Sequence, residues 1–276
     1  MKNARVGAAL ITGAAGDIGQ ATAVGFAREG RDVAVFDRKV ELLEETVALC
    51  EAEGVKVYAA AVDQTSPETV EQGVAAAIQA LGPITAVFAN AGYGKFSTLL
   101  EQSAKEWYRH VDVNFNGTFF VCQAVARSMV EAKLGGSIVI NASSGASQYS
   151  DLLGAYCATK AGLRMLATGL ASELGNHRIR VNCVEPGVIE TGMTGPMLTG
   201  ENGQAHRDII VSDTPAGRLG VPEDVAETVL FLSSDKAGFL TGVAVPIDGG
   251  QTIHGHPRWY RTDYRTDHET VWEVTR

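Results

Sequence analysis

The sequence predicts an α/β fold in which a doubly wound parallel sheet of about seven strands carries helices on both faces. Short β-branched runs alternate with longer amphipathic segments along most of the chain. Such alternation is typical of βαβ units, in which successive strands are parallel and helices cover the sheet. The strand runs are almost entirely apolar, as strands buried on both faces must be. Ligands of such a sheet bind beyond the carboxyl ends of its strands.

The predicted elements follow one another without an internal repeat. We expect strands at residues 6–12, 32–37, 55–62, 85–89, 137–141, 179–184 and 243–247. We expect helices at residues 18–28, 41–53, 66–81, 103–133, 155–174 and 222–232. Ser66 followed by Pro67 is typical of an N-cap and a first helical position. Helix 103–133 is expected to kink near Asn114.

Residues 1–251 are predicted to form a single domain, because 276 residues with 45% hydrophobic content can bury one large core. Within it, residues 191–218 are rich in Gly, Thr and polar side chains, with a short apolar stretch at 209–211. A loop of this length in a compact domain usually has a function. We therefore expect it to be a substrate lid.

Residues 252–276 form a C-terminal extension with four large aromatic side chains, Trp259, Tyr260, Tyr264 and Trp272. Disordered segments are poor in aromatic residues. We therefore expect the extension to pack on the domain or on a partner subunit.

Charge and cysteine usage exclude several classes of function. The net charge is -9 and the pI about 5.2, which disfavours nucleic acid and anionic membrane surfaces as partners. The four cysteines, Cys50, Cys122, Cys157 and Cys183, have no metal-ligand spacing, so no metal site is predicted. The cysteines indicate reduced thiols in a reducing compartment. No apolar stretch approaches the 18 residues that a membrane-spanning helix needs, so none is predicted. The expected location is the cytoplasm.

A glycine-rich turn follows the first predicted strand. Gly13, Gly16 and Gly19 allow a tight turn and close approach of the backbone to a ligand, while Asp17 and Ile18 open the next helix. The free N–H groups of a helix N-terminus bind anions. This arrangement predicts a site for the diphosphate of a dinucleotide.

Asp37 ends the second predicted strand and indicates which dinucleotide binds. A carboxylate there can accept hydrogen bonds from both hydroxyls of an adenine ribose, and it repels a 2′-phosphate. The prediction is NAD, with NADP less favoured. Arg38 follows directly and could hold a phosphate, which keeps NADP open.

Tyr156 and Lys160 are four residues apart in a predicted helix, so they share one face. A lysine ammonium near a phenol stabilises the phenolate and lowers its pKa, which suits a general base. The pair alone is common, and a surface pair without function is the alternative.

The order of motifs around this pair resembles the short-chain dehydrogenase/reductase family, whose fold is a Rossmann-type domain, from Val6 to about Gly250. The matching motifs are Thr12-Gly13…Gly19, Asp63, Asn90-Ala91-Gly92, Asn114, Ser143, Tyr156-Cys157-Ala158-Thr159-Lys160, Asn182…Pro186-Gly187, Arg218, Pro222-Glu223-Asp224-Val225-Ala226 and Thr241-Gly242…Asp248-Gly249-Gly250.

The resemblance implies a catalytic role for each of four residues. Tyr156 would be the acid/base, and Lys160 would bind the nicotinamide ribose and depress the Tyr156 pKa. Ser143 would hydrogen-bond the substrate oxygen, and Asn114 would hold a water of the proton relay. The family's spacing to the tyrosine and to the glycine before the strand selects Ser143, with Ser144 as the alternative.

The resemblance also implies a set of cofactor contacts. These are Asn90 and Gly92 of the Asn-Ala-Gly turn, Asp63 at the adenine, Pro186, Gly187 and Ile189 at the nicotinamide, Thr191 near the phosphates, and Tyr156 and Lys160 themselves. The chain departs from the family at Asp17, which replaces the middle glycine and could cap the helix or weaken diphosphate binding. NADP-preferring relatives often have a basic residue where this chain has Gly16, which again favours NAD.

The implied function is NAD(H)-dependent interconversion of a secondary alcohol and a ketone. The alternatives are a carbonyl reductase working mainly in the reductive direction, a non-catalytic NAD(H)-binding regulator, and epimerisation or dehydration on the same scaffold. Candidate substrate contacts are Tyr93, Lys95, Gln148, Tyr149 and His206. Lys95 with His206 would suit an anionic or polyhydroxylated substrate. The resemblance also implies a homo-oligomer, either a homotetramer or a dimer.

Overall fold

A computed structural model of the chain describes residues 7–253. Its centre is one parallel sheet of seven strands in the order β3-β2-β1-β4-β5-β6-β7. The strands are β1 Ala8–Thr12, β2 Val33–Asp37, β3 Val57–Ala61, β4 Ile84–Ala89, β5 Gly136–Asn141, β6 Ile179–Pro186 and β7 Ala244–Ile247. The predicted doubly wound Rossmann-type sheet is confirmed.

Helices cover both faces of the sheet. They are α1 Asp17–Arg28, α2 Glu44–Ala52, α3 Pro67–Leu81, α4 Ala104–His110, α5 Thr118–Ala132, α6 Gly154–Leu174, α7 Gly195–Thr199, α8 Gly203–Asp213 and α9 Pro222–Leu232. Apolar residues of α3, α5 and α6 form one core with the sheet, and those of α1, α2 and α9 form the other. The strands are buried between them, which explains their nearly continuous apolar sequences.

The strand order reverses beside β1, which pairs with β2 on one side and β4 on the other. The connections from β1 and β4 therefore leave the sheet in opposite directions. This divergence opens a crevice beyond the carboxyl ends of the strands, where ligands of open α/β sheets bind.

The predicted helix 103–133 is interrupted. A π-helical segment, Val111–Gly117, separates α4 from α5, as the expected irregularity near Asn114 indicated. Asn114 is fully buried in this segment, and its amide binds the backbone of the loop after β4. π-helical turns are rare and occur frequently at functional sites.

Several predicted element boundaries are wrong by a few residues, and one segment predicted to be a loop contains helices. Residues 191–218 are not a plain loop, because they contain α7 and α8, and the apolar stretch 209–211 lies within α8. Arg207 of α8 forms an ion pair with Glu190 just before the segment. The predicted helix 41–53 begins as a 3-10 turn, Val40–Leu43.

Two expectations fall on the chain termini. Residues 1–6 and 254–276 lie outside the described residues, so the predicted docking of the aromatic extension stays a prediction. No helix within residues 7–253 is both long and apolar enough to cross a membrane.

The buried core gives a first prediction. Phe88 of β4 is completely buried, so Phe88→Ala is expected to lower the free energy of unfolding by about 3–5 kcal/mol through lost burial and a residual cavity. Phe239 is fully exposed and provides the matched control, Phe239→Ala, with no comparable loss. Urea denaturation of both variants measures the difference, and equal losses would contradict the described packing.

Candidate active site

The four predicted catalytic residues and the glycine turn lie around the carboxyl ends of β1, β4, β5 and β6, whereas the candidate substrate residues do not converge there. The turn after β1 is tied to the end of β4 because the Thr12 hydroxyl accepts hydrogen bonds from the N–H groups of Asn90 (3.0 Å) and Ala91 (3.1 Å). Gly13 has φ 63°, and a Cβ there would lie 2.8 Å from the Ala91 Cα. The turn therefore requires glycine at this position, because a side chain would both strain and collide.

The glycine turn fits the diphosphate of a dinucleotide. Helix α1 begins directly after Gly16, and no side chain caps its N-terminus. Its first-turn N–H groups thus face the crevice without an internal acceptor from a cap. Gly19 is buried, and a Cβ there would overlap the Gly13 carbonyl oxygen. The absence of side chains keeps the backbone donors accessible to an anion.

Asp17 does not cap α1, which was one of the two alternatives for this residue. Its carboxylate instead accepts a hydrogen bond from the Gly192 N–H at 2.8 Å. Gly192 belongs to segment 191–218, so the bond connects the turn to the predicted lid. The acid occupies the first position of α1, where the helix dipole favours negative charge.

Two further acids lie at the carboxyl ends of β2 and β3. The Asp37 carboxylate accepts hydrogen bonds from the Ala15 N–H (3.3 Å) and the Arg38 N–H (2.8 Å), which holds it against the glycine turn. Asp63 follows β3, where its side chain accepts from the Thr65 N–H and hydroxyl. Asp37 therefore lies against the glycine turn, and its contact with a ribose stays a prediction. Ile18, in the first turn of α1, is half-buried.

Asn90 connects the cofactor turn to β5. Its amide nitrogen donates to the carbonyl oxygens of Thr12 and Gly13, each at 3.1 Å. Its amide oxygen accepts from the Asn141 side chain at 2.8 Å. The Asn141 carbonyl oxygen in turn accepts from the Lys160 ammonium at 2.6 Å. Sequence reasoning missed Asn141, although a polar residue ending an apolar strand at the ligand edge is a usable signal.

Asn114 holds the loop after β4 in place. Its amide oxygen accepts from the Tyr93 N–H (2.7 Å), and its amide nitrogen donates to the Tyr93 carbonyl (2.8 Å) and the Thr159 hydroxyl (3.1 Å). The side chain is thereby occupied by protein partners. The water-holding role expected of Asn114 stays a prediction.

The structure brings Ser143 to Tyr156. Ser143 precedes a 3-10 turn, Ser144–Ala146, and its hydroxyl accepts from the Gly145 N–H at 3.1 Å. A hydrogen bond with Ser143 lowers the pKa of Tyr156. This contact favours Ser143 over Ser144 as the substrate-binding hydroxyl.

Burial dominates the electrostatics of Tyr156 and Lys160. It raises the pKa of the Tyr156 phenol and lowers the pKa of Lys160 to about 8. The Lys160 nitrogen lies 5.4 Å from the Tyr156 ring centroid. The net shift at Tyr156 is upward, opposite to the depression expected from Lys160. Gly92 adjoins the relay, because a Cβ there would lie 3.5 Å from the Lys160 nitrogen.

The segment after β6 forms the other wall of the crevice. Pro186 ends β6, and a side chain on Gly187 would overlap the Gln251 amide oxygen. Ile189 is buried, and the Thr191 N–H donates to the Thr194 hydroxyl at 3.0 Å. The residues expected at the nicotinamide therefore form a fixed wall.

The candidate substrate residues are dispersed. The Tyr93 phenol donates to Glu106 (2.8 Å), and the Lys95 ammonium pairs with the same carboxylate (3.4 Å). The His206 ring contacts the Met197 carbonyl at 3.0 Å, in the surroundings of α7 and α8. Lys95 and His206 thus have separate partners, and the structure shows no contact between them. Gln148 and Tyr149 are exposed beside the Ser143 turn.

The site contains no candidate metal cluster. Within residues 7–253, no group of three or more His, Cys, Asp or Glu side chains is arranged to hold an ion. Each of the four cysteines is a buried free thiol.

Comparison with known proteins agrees with this geometry. A family model described as enoyl-(acyl carrier protein) reductase matches residues 13–252. The chain is 37% identical to L-rhamnose 1-dehydrogenase (NAD(P)(+)) of Sphingomonas sp. (strain SKA58) over 89% of this chain and 96% of that protein. It is 36% identical to gluconate 5-dehydrogenase of Gluconobacter oxydans (strain 621H), over 89% and 94%.

The structural similarity is equally extensive. The crystal structure of a short-chain type dehydrogenase/reductase from Mycobacterium marinum superposes with a TM-score of 0.86 at 32% identity. The match covers 92% of this chain and 98% of that one. The chain therefore belongs to the short-chain dehydrogenase/reductase family of oxidoreductases.

Proposed function

We propose that this protein is an NAD(H)-dependent dehydrogenase that oxidises a secondary alcohol to a ketone. The main support for this proposal is that Ser143, Tyr156 and Lys160 lie close together beside the N-terminus of α1, which is lined by glycines and has no side-chain cap. The turn supplies a dinucleotide site, and the side chains supply a proton acceptor with its supporting groups.

The protein's own groups handle the proton. When bound, the nicotinamide supplies the acceptor for the hydride that leaves the carbinol carbon. Ser143 donates a hydrogen bond to the substrate oxygen and orients it towards Tyr156. The Tyr156 phenolate removes the hydroxyl proton as the carbonyl forms, and the Lys160 charge stabilises that phenolate. Reduction runs the same steps in reverse, with Tyr156 as the acid.

Lys160 is held in place for this role. Its bond to the Asn141 carbonyl fixes the ammonium near the Tyr156 ring and beside Gly92. With a pKa of about 8, the ammonium can give up a proton within the physiological range. The proton then leaves through the π-helical segment around Asn114.

Asp37 supports NAD as the preferred nucleotide. Its carboxylate faces the glycine turn, so a 2′-phosphate would meet a negative charge held by two backbone donors. NADP is the second possibility, because the name of one relative, L-rhamnose 1-dehydrogenase (NAD(P)(+)), includes both nucleotides. Gly16, which offers no basic side chain, adds to the preference for NAD.

The substrate class we propose is a polyhydroxylated alcohol. The support is the kinship with enzymes named for L-rhamnose and gluconate. The alternatives keep the same scaffold: net carbonyl reduction, epimerisation or dehydration, or cofactor binding without turnover by a regulator. The filled positions of Ser143, Tyr156 and Lys160 argue against the regulator.

We also propose a homo-oligomer, a tetramer or a dimer, in the cytoplasm. Large apolar side chains are exposed around α4 and on α6, including Leu100, Trp107, Tyr108 and Met165. Such surfaces are typical of subunit contacts. The buried free thiols support a reducing compartment.

Replacement of the catalytic phenol tests the proposal. Tyr156→Phe is expected to lower kcat by roughly a hundred- to ten thousand-fold, because it removes the acid/base. Tyr58→Phe, near the start of β3 and away from the carboxyl ends of the strands, is the matched control with unchanged kcat. The assay follows NADH absorbance with a panel of polyols, sugars and ketones. Full activity of Tyr156→Phe would refute the mechanism.

Asp37→Ala tests the nucleotide preference. The ratio of kcat/KM for NAD to that for NADP is expected to fall at least about tenfold, since a hydrogen bond to a charged group contributes about 1.5–3 kcal/mol. Asp32→Ala, at the opposite end of β2, is the control and leaves the ratio unchanged. An unchanged ratio in Asp37→Ala would place nucleotide selection elsewhere.

Lys160 predicts a pH dependence of stability. With the folded pKa lowered to about 8, the folded state carries the full cost of the buried ammonium below pH 8. That cost disappears as pH rises towards the unfolded-state value of about 10.5. The stability of the wild type relative to Lys160→Met should therefore increase from pH 8 to 10. Denaturant titrations measure it, and Lys105→Met, on exposed α4, should show no such trend.

A further inference from the structure

A buried carboxylate lies beneath the turn that follows the catalytic serine. Glu185 is 2% exposed and is the last residue but one of β6. Val184 pairs with Asn141 of β5, so Glu185 lies level with Ala142, one residue before Ser143. The acid is therefore in the sheet layer directly adjoining the reaction centre.

Glu185 makes few contacts for a buried charge. One carboxylate oxygen accepts from the Ser147 hydroxyl at 2.8 Å, and that hydroxyl accepts from the Arg164 guanidinium at 2.7 Å. The other oxygen lies 3.7 Å from the same guanidinium nitrogen, and it has no hydrogen-bond partner within residues 7–253. Half of the Arg164 side chain is exposed, so its charge is partly screened by water.

Stability does not account for this acid. A buried carboxylate with incomplete pairing costs desolvation that the ion pair only partly offsets, and an apolar residue would serve packing as well. Val181 and Cys183, which project towards α6 from the same strand, are apolar and buried. Glu185 is the polar residue on this otherwise apolar face of β6, and it lies at the end of the strand nearest Ser143. This position indicates a role in fixing the geometry of the turn that begins at Ser143.

The contact with Ser147 fixes the far end of the serine turn. The Ser143 hydroxyl accepts from the Gly145 N–H, and the Ser143 carbonyl accepts from the Ala146 N–H at 2.9 Å. The turn closes as the Ser147 N–H donates to the Ser144 carbonyl at 3.1 Å. One short turn thus carries Ser143 at its start and Ser147 at its end, so movement of one end displaces the other.

The middle of the same turn packs against the catalytic tyrosine. A Cβ on Gly145 would lie 3.8 Å from the Tyr156 ring, 3.4 Å from the Ser143 hydroxyl and 3.1 Å from the Cys157 sulfur. The turn therefore sets both the position of the serine hydroxyl and the surroundings of the phenol.

We propose that Glu185, acting through Ser147 and Arg164, is a positioning residue that holds the Ser143 hydroxyl in register with Tyr156. The proposal rests on the proposed dehydrogenase function for its kinetic consequence. Its structural consequence, the rigidity of the turn, does not depend on turnover.

Hydrogen exchange tests the structural part without any substrate. Glu185→Ala is expected to speed amide exchange in peptides spanning residues 143–149, with exchange in β1 and α9 unchanged. Ser147→Ala removes the same bond from the exposed side and should produce the same local change even where Glu185→Ala folds poorly. Glu71→Ala, which breaks a surface pair with Arg127, is the control and should leave the turn unaffected.

Kinetics test the positioning role. Glu185→Ala and Ser147→Ala should each lower kcat roughly ten- to a hundredfold, as a misplacement of about 1 Å does, while the Kd for NAD stays unchanged. Their double variant should be no slower than the worse single variant, because both remove one interaction. Glu185→Gln keeps an oxygen acceptor for Ser147 and should recover kcat to within about threefold of the wild type, near the loss of one neutral hydrogen bond.

The pH profile separates positioning from simple charge loss. The ionisable groups that act directly on Tyr156 are Cys157 and Lys160 of α6. Cys183 and Glu185 of β6 and Arg164 of α6 interact with one another in the adjoining layer. Loss of the Ser143 contact raises the pKa of Tyr156, so the pH at half-maximal oxidation should move up in Glu185→Ala and, further, in Ser143→Ala. Loss of the negative charge of Glu185 without any movement of Ser143 would instead lower the pKa of Tyr156 and shift the pH at half-maximal oxidation downward.

The outcomes distinguish the two proposals. Wild-type exchange in the 143–149 peptides of Ser147→Ala and Glu185→Ala overturns the positioning role, whatever the activity. The positioning role is also overturned if Glu185→Ala keeps a kcat within twofold of the wild type, or if its pH profile shifts downward. In either case, a low activity of Tyr156→Phe would show that the dehydrogenase proposal still stands. Failure of the wild type on every alcohol and ketone overturns the dehydrogenase proposal instead, and the exchange experiment still decides the role of Glu185.

Discussion

A chain of hydrogen bonds from the glycine turn after β1 to Lys160 organises this protein. Asn90 binds the carbonyl oxygens of Thr12 and Gly13, Asn141 binds Asn90, and Lys160 binds the Asn141 carbonyl. Three strands and α6 are thereby held in one register. Each hydrogen bond contributes about 1 kcal/mol net to stability, whereas a buried group left without its partner costs more. Breaking one bond of the series is therefore more costly than the average value of a bond suggests. The shape of the glycine turn and the position of the Lys160 ammonium therefore depend on the same contacts.

Much of this could be predicted from the sequence because the signals are local. Apolar strand runs, the Ser66-Pro67 helix start and the glycine turn each depend on neighbouring residues. The irregularity near Asn114 was also predictable in place, although its π-helical form was not. The convergence of Ser143, Tyr156 and Lys160 followed from the resemblance, since the lone Tyr-x-x-x-Lys spacing is too common to indicate a site.

The remaining features depend on contacts between distant segments. The sequence left two roles open for Asp17, but its carboxylate accepts a hydrogen bond from Gly192, 175 residues away in sequence. The segment 191–218 was expected to be a loop because its Gly and Thr content hides the periodicity of α8. The net pKa of Tyr156 is set by burial, which sequence spacing cannot reveal. Glu185 gave no signal, because a single acid at the end of a strand is ordinary until its burial is known.

Transfer of an isotopic label tests the central claim most directly. A panel alcohol carrying deuterium at the carbinol carbon is incubated with NAD and either the wild type or Tyr156→Phe. The account predicts deuterium in the reduced nicotinamide with the wild type, at a rate that rises with pH as Tyr156 ionises. It predicts that transfer with Tyr156→Phe is slower by roughly a hundredfold or more, although NAD still binds. Product formation without net label transfer, or NADH binding without turnover of any alcohol or ketone, would contradict it.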